Sequence, residues 1–108
     1  MQLTISSRHM DVTPPLRDYA EQKATKLSKY YDRIQDIEVV FDAGNKEGTR
    51  VEMIVSAEHR NMFIAHSDDG DAYAGVDGCF GKLERQLSEH KKKLRNRKHS
   101  GEEKHGMA

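Results

Sequence analysis

Apolar residues recur along this chain with two periods, and the switches between them outline six elements. In "QLTISSR", Leu3 and Ile5 alternate with polar neighbours, which predicts a first strand with one buried face. "DVTPPLRD" then announces a helix: Thr13 can accept from orphan N–H groups, and Pro14 suits the first helical position, whose own N–H has no partner anyway. Leu16, Ala20, Ala24, Leu27 and Tyr31 follow at helical spacing, so the first helix should run from Pro14 to about Tyr31. "DIEVVFDAG" puts Ile37, Val39 and Phe41 on one face of a second strand, and "AGNKEGT" is rich in turn formers. "RVEMIVSAE" repeats the alternation through Val51, Met53, Val55 and Ala57. After "HRN", "MFIAHS" continues the sheet, with either Phe63 and Ala65 or Met62 and Ile64 facing inward. "SDDGD" ends the sheet, and Asp71 can cap a second helix.

From Ala72 the positions Val76, Phe80, Leu83, Leu87, His90 and Leu94 are three or four apart, the seam of that long second helix. Gly75, Gly78 and Gly81 fall in its first half, on a side that the seam's spacing places roughly opposite the core. Each glycine weakens the helix by on the order of 1 kcal/mol relative to alanine. The order β-α-β-β-β-α contains one strand–helix–strand crossover, which should be right-handed. The predicted fold is therefore α+β: a single domain over residues 1–98, with a four-stranded sheet and two helices on one face. "HSGEEKHGMA", with no period, reads as a disordered tail over 99–108.

Charge adds a second pattern. The chain has no net charge, yet residues 36–78 hold ten acids against three bases, and residues 82–98 hold eight bases against two acids. On the second helix Lys82, Arg85 and Lys92 lie away from the seam, while Lys91, Lys93, Arg95, Arg97 and Lys98 spread around the last turns. Arg17, Lys23, Lys26 and Lys29 decorate the first helix. With both helices on one face, these cations form a platform suited to phosphate backbones, where Lys and Arg supply affinity without reading sequence. The bland alternative is a solvated helix face whose cations complement a helix C-terminus. The acidic middle argues against indiscriminate binding of polyanions.

Catalytic and cofactor readings find little to stand on. Gly81-Lys82 mimics a phosphate loop, but Val76 stands where its first glycine belongs and Leu83 where its hydroxyl belongs. The six histidines show no metal-ligand spacing, and His90 reads as a packed residue at the edge of the seam. Asp68, Asp69 and Asp71 lack the calcium-loop pattern and read as turn and cap residues. Cys79 is the only cysteine, so it forms no intrachain disulfide and reads as a buried thiol. Tyr31 reads as core and Tyr30 as exposed. No catalytic residue, cofactor or metal is expected. There is also no apolar run of membrane-spanning length and no secretory h-region, which points to the cytosol.

Two segments carry a resemblance to a known family. "DAYAGVDGCFGKLERQLSEHKKKL" and "ISSRHMDVTPPLRDYAEQKATKLSKYYDRI" resemble the ribosome hibernation-promoting factor family, also called ribosome-associated inhibitor or sigma-54 modulation proteins. The matched positions are Asp71, Tyr73, Gly75, Val76, Asp77, Lys82, Leu83, Arg85, Gln86, Leu87, His90 and Lys91, with Thr13, Pro14, Leu16, Arg17, Lys26 and Leu27 on the first helix. The resemblance covers about residues 1–97. It implies a domain akin in shape to double-stranded-RNA-binding domains, seated in the decoding channel of the small ribosomal subunit. There it would occupy mRNA and tRNA positions, silence translation and preserve idle ribosomes under stress or in stationary phase.

On that basis the RNA-binding residues are Arg17, Lys23, Lys26, Lys29, Lys82, Arg85, Gln86, Lys91, Lys92, Lys93 and Arg95. The implied partners are 16S rRNA of the small subunit and 70S or 100S particles. The chain is like the short members of the family, and whether it promotes or blocks ribosome pairing stays open. Gly75, Gly81 and Cys79 depart from the family's usual pattern and predict a less rigid second helix. The competing reading is a regulatory protein-interaction module that works through the acidic sheet side.

Overall fold

A computed structural model gives the elements in order as β1 (Gln2–Arg8), α1 (Pro14–Lys26), β2 (Ile34–Asn45), β3 (Gly48–Ala57), β4 (Met62–Gly70) and α2 (Ala72–Met107). It describes residues 1–46 and 48–107, with side chains described through Arg95 except at positions 45 and 69. The side chains of 99–107 and the whole of Ala108, the stretch read as a disordered tail, lie outside the described residues.

The four strands form one mixed sheet in the order β1-β2-β3-β4. β1 pairs with β2 in parallel, as the crossover requires, and the remaining neighbours are antiparallel. The fold is the expected α+β arrangement. Thr13 caps α1, its hydroxyl accepting from the Leu16 N–H at 3.4 Å, and Pro14 opens the helix. A 3-10 turn over Leu27–Lys29 carries the helical path on, close to the predicted end. At α2, the Asp71 carboxylate accepts from the Tyr73 N–H at 3.2 Å.

The core lies between sheet and helices. Leu16, Ala20, Ala24, Leu27 and Tyr31 of the α1 side meet Ile37, Val39, Phe41, Val51, Met53, Val55 and Ala57 of the strands, with Val76, Cys79, Leu83 and Leu87 of α2. Full burial of one such aliphatic side chain contributes about 1.5–3 kcal/mol. β4 turns Phe63 and Ala65 inward, because Met53 pairs with Ala65 and Val55 with Phe63, whereas Met62 and Ile64 are 59% and 49% exposed. β2 starts at Ile34, two residues before the stretch that the alternation marked. A register shift between Ile34 and Asp36 lets both Ile34 and Ile37 face inward, which breaks the period of two.

Two local expectations change. Gly75 is buried rather than opposite the core: a Cβ there would stand 2.5 Å from Cγ2 of Val51, so its bare backbone sets how closely α2 sits on β3. Gly81 does face open space. Tyr30, expected to be exposed, is partly buried with its ring edge-on to Phe80 at 6.2 Å. His90 fills the far end of the seam, between the rings of Tyr31 and Phe63 at 5.1 Å each, with its Nε2 buried and without a hydrogen-bond partner among the described residues.

Candidate nucleic-acid interface

The two helices run in the same direction side by side. Tyr19 meets Tyr73 edge-on at 5.3 Å, Lys23 reaches Asp77 and Phe80, Tyr30 meets Phe80, and Tyr31 meets His90. The junction is polar at its outer rim. The Tyr19 hydroxyl donates to the Asp77 carboxylate, and the Lys23 ammonium lies 3.5 Å from the same carboxylate. That hydrogen bond, followed by burial, holds the Tyr19 phenol above its ordinary pKa. Lys23 also lies over the Tyr19 and Phe80 rings, at 5.8 and 5.2 Å from their centroids. Lys23 thus belongs to the helix–helix junction as much as to the outer surface.

Lys82 and Gln86 have a structural engagement too. β4 is an edge strand, and its outward carbonyls need partners. The Lys82 ammonium donates to the His66 carbonyl at 2.7 Å and the Gln86 amide to the Ile64 carbonyl at 3.2 Å. Together with the Cys79 thiol, 3.3 Å from the Val51 carbonyl, they lock α2 over β3 and β4.

Arg85, Lys91, Lys92, Lys93 and Arg95 of α2, with Lys26 and Lys29 of the α1 side, are exposed. Among the described residues none of these seven makes an ion pair or side-chain hydrogen bond. At 100° per residue, Lys26 shares the α1 flank of Tyr19, Lys23 and Tyr30 that borders α2, whereas Arg17 lies on the opposite flank. The structure therefore gathers most of the sequence-predicted residues along the paired helices and sets Arg17 apart. Over Gly78 and Gly81 the outer side of α2 is bare, forming a shallow groove of about 450 Å³ bordered by Asp77, Lys82, Arg85 and Gln86. Such a groove lets a sugar–phosphate chain approach the helix backbone with an arginine beside it.

Sequence reasoning did not single out Tyr19 and Asp77 for the junction, although Tyr19 and Lys23 are four apart on one helix flank. Among the described residues no helix is long and apolar enough to cross a membrane.

The geometry coincides with a family assignment. Residues 3–95 match the sequence model of the family described as sigma 54 modulation protein / S30EA ribosomal protein, and the chain belongs to that family. Among its relatives, the ribosome hibernation promoting factor of Klebsiella oxytoca is 33% identical over 101 residues, covering 88% of this chain and 98% of the relative. That of Azotobacter vinelandii is 36% identical over 93 residues, covering 86% and 85%. A ribosomal subunit interface protein from Coxiella burnetii superposes with a TM-score of 0.72 at 31% identity, over 84% of this chain and 98% of that one. The N-terminal domain of Thermus thermophilus Protein Y gives a TM-score of 0.74 at 26% identity, over 83% and 99%.

Proposed function

We propose that this chain is a ribosome-associated translation silencer that docks on the small subunit through the outer faces of α1 and α2. The observation that carries the reading is the row of exposed cations without protein partners among the described residues, along two co-directional helices, in a member of a family whose relatives are named for ribosome hibernation. Arg85, Lys91, Lys92, Lys93 and Arg95, joined by Lys26 and Lys29, would neutralise rRNA phosphates and gain affinity through counterion release. Lys23, Lys82 and Gln86 would act at the rim, contributing their remaining donor capacity while holding the helices in place. Arg17, on the far flank, would touch RNA only if the bound strand wraps α1. Bound in the decoding channel, the domain would exclude mRNA and tRNA and leave an idle, protected particle in the cytoplasm. No step of this needs a covalent reaction or a cofactor.

Co-sedimentation with isolated 30S and 70S particles across a salt series tests the reading. Stoichiometric binding should weaken steeply with salt, and mRNA or tRNA should compete. The variant to use is R85E/K92E, because neither side chain is engaged in the fold, whereas reversing Lys82 would also strip the β4 edge of a donor. Binding that ignores both salt and this reversal would overturn the proposal.

A further inference from the structure

The sheet surface turned away from the helices has its own chemistry. Its outward positions form cross-strand rows: Thr4, Glu38, Ile54 and Ile64 in one, Ser6, Val40, Glu52 and His66 in the next, and Gln2, Asp36, Ser56 and Met62 on the other side. Val40, Ile54, Ile64 and Met62 make an apolar band from β2 to the β4 edge, with Ile64 and Met62 its most exposed members. Asp36, Glu38 and Glu52 flank that band, and among the described residues no cation pairs with them. Farther along, the charges are matched: Arg50 lies 3.6 Å from Asp68, His66 lies 3.8 Å from it, Asp42 faces His9, and Arg8 is the register partner of Asp42. Glu52 borders this matched end, as the register partner of His66 and in one hollow with Arg8 and Arg50, so the acids with no cation beside them, Asp36 and Glu38, lie along the apolar band.

We infer that this face is a docking surface for an extended basic protein segment, one that alternates Lys or Arg with aliphatic residues. Charge complementarity names the partner's sign. Carboxylates repel phosphates, so a nucleic acid is the wrong ligand for it, and a purely cationic chain would leave the apolar band wet. A second copy of this protein also fits poorly, since its basic helix face offers a glycine groove and charges where aliphatic side chains are needed. The inference does not depend on the ribosome reading, because the two surfaces lie on opposite sides of the domain.

The test is an NMR titration of the isotope-labelled full chain with short synthetic peptides, with no ribosome present. A Lys–Val alternating peptide should bind saturably and shift the resonances of Glu38, Val40, Glu52, Ile54 and Ile64. A Lys–Ser peptide of equal charge should bind at least about tenfold more weakly, and a Glu–Val peptide not at all. E38K/E52K should weaken Lys–Val binding tenfold or more, Ile64→Ser should weaken it without altering charge, and R85E/K92E should leave it unchanged. Equal binding of the Lys–Ser peptide, shifts mapping to the helices, or indifference to both sheet variants would overturn the proposal. So would an oligouridine that shifts these same residues, or self-association of the free chain that E38K/E52K abolishes.

Discussion

The two broad faces of this domain carry opposite charge by different structural means. On the helix face, cations sit at the ends of long side chains that reach into solvent, free to follow an irregular phosphate backbone. On the sheet face, Asp36, Glu38 and Glu52 are short-stemmed acids fixed in strand register beside an apolar band. A net charge of zero is thus the sum of two separated surfaces. On the proposed reading the separation has a consequence for docking: a polyanion would be drawn to the helices and repelled from the sheet, so the field would orient the domain before contact.

The largest expected effect tests that division directly. R85E/K92E should weaken small-subunit binding on the order of 100-fold near 0.1 M salt and flatten the salt slope by roughly two, about one for each lost phosphate contact. E38K/E52K, reversing as many charges on the other face, should leave the affinity unchanged or tighten it. Co-sedimentation of both variants at several salt concentrations reads the contrast. Equal losses would mean that total charge, and not its placement, governs association.

Next come two glycines on the same helix that face different surroundings. Gly75→Ala would drive a methyl into buried Val51, a stiff β-branched side chain on β3. Overpacking of this kind costs about 1–3 kcal/mol, against about 1 kcal/mol gained in helix propensity, so a net loss on the order of 1 kcal/mol is expected in urea denaturation. Gly81→Ala meets nothing within 4 Å. It should stabilise by about 0.5–1 kcal/mol, yet the added methyl narrows the groove beside Arg85, so ribosome affinity should fall while stability rises. Parallel movement of the two quantities would remove the groove from the binding surface.

That pair of glycines also marks where sequence reading reaches its limit. The strands, both helices, the Thr13 and Asp71 caps and nearly all of the core were legible, since buried positions repeat with the period of their own element. Glycine carries no hydropathy signal, so its side of the helix had to be inferred from the seam, and Gly75 sits at the seam's edge where that inference fails. Its neighbour Val51 is remote in sequence. The engagement of Lys82 and Gln86 was hidden for a related reason: it depends on β4 being an edge strand with free carbonyls, a property of sheet order rather than of local pattern. The cations of the candidate site were legible as a set, but which of them the fold already employs was not.

The smallest expected effect concerns the charge-matched end of the sheet face. The Gly44 N–H donates to the Asp42 carboxylate at 2.8 Å, and His9 lies 3.3 Å away; these two partners, in that order, hold the carboxyl below its ordinary pKa. A depressed carboxylate stabilises the fold above its unfolded pKa of about 3.9, and that contribution disappears as pH falls through the lower folded value. Asp42→Asn should therefore lower the melting temperature slightly at pH 6, and the gap from the parent should close in acid, below the folded pKa. Thermal melts of parent and variant from pH 6 down to pH 2 make the comparison, and a gap that stays constant across that range would show that the Asp42 carboxylate contributes no linked stability.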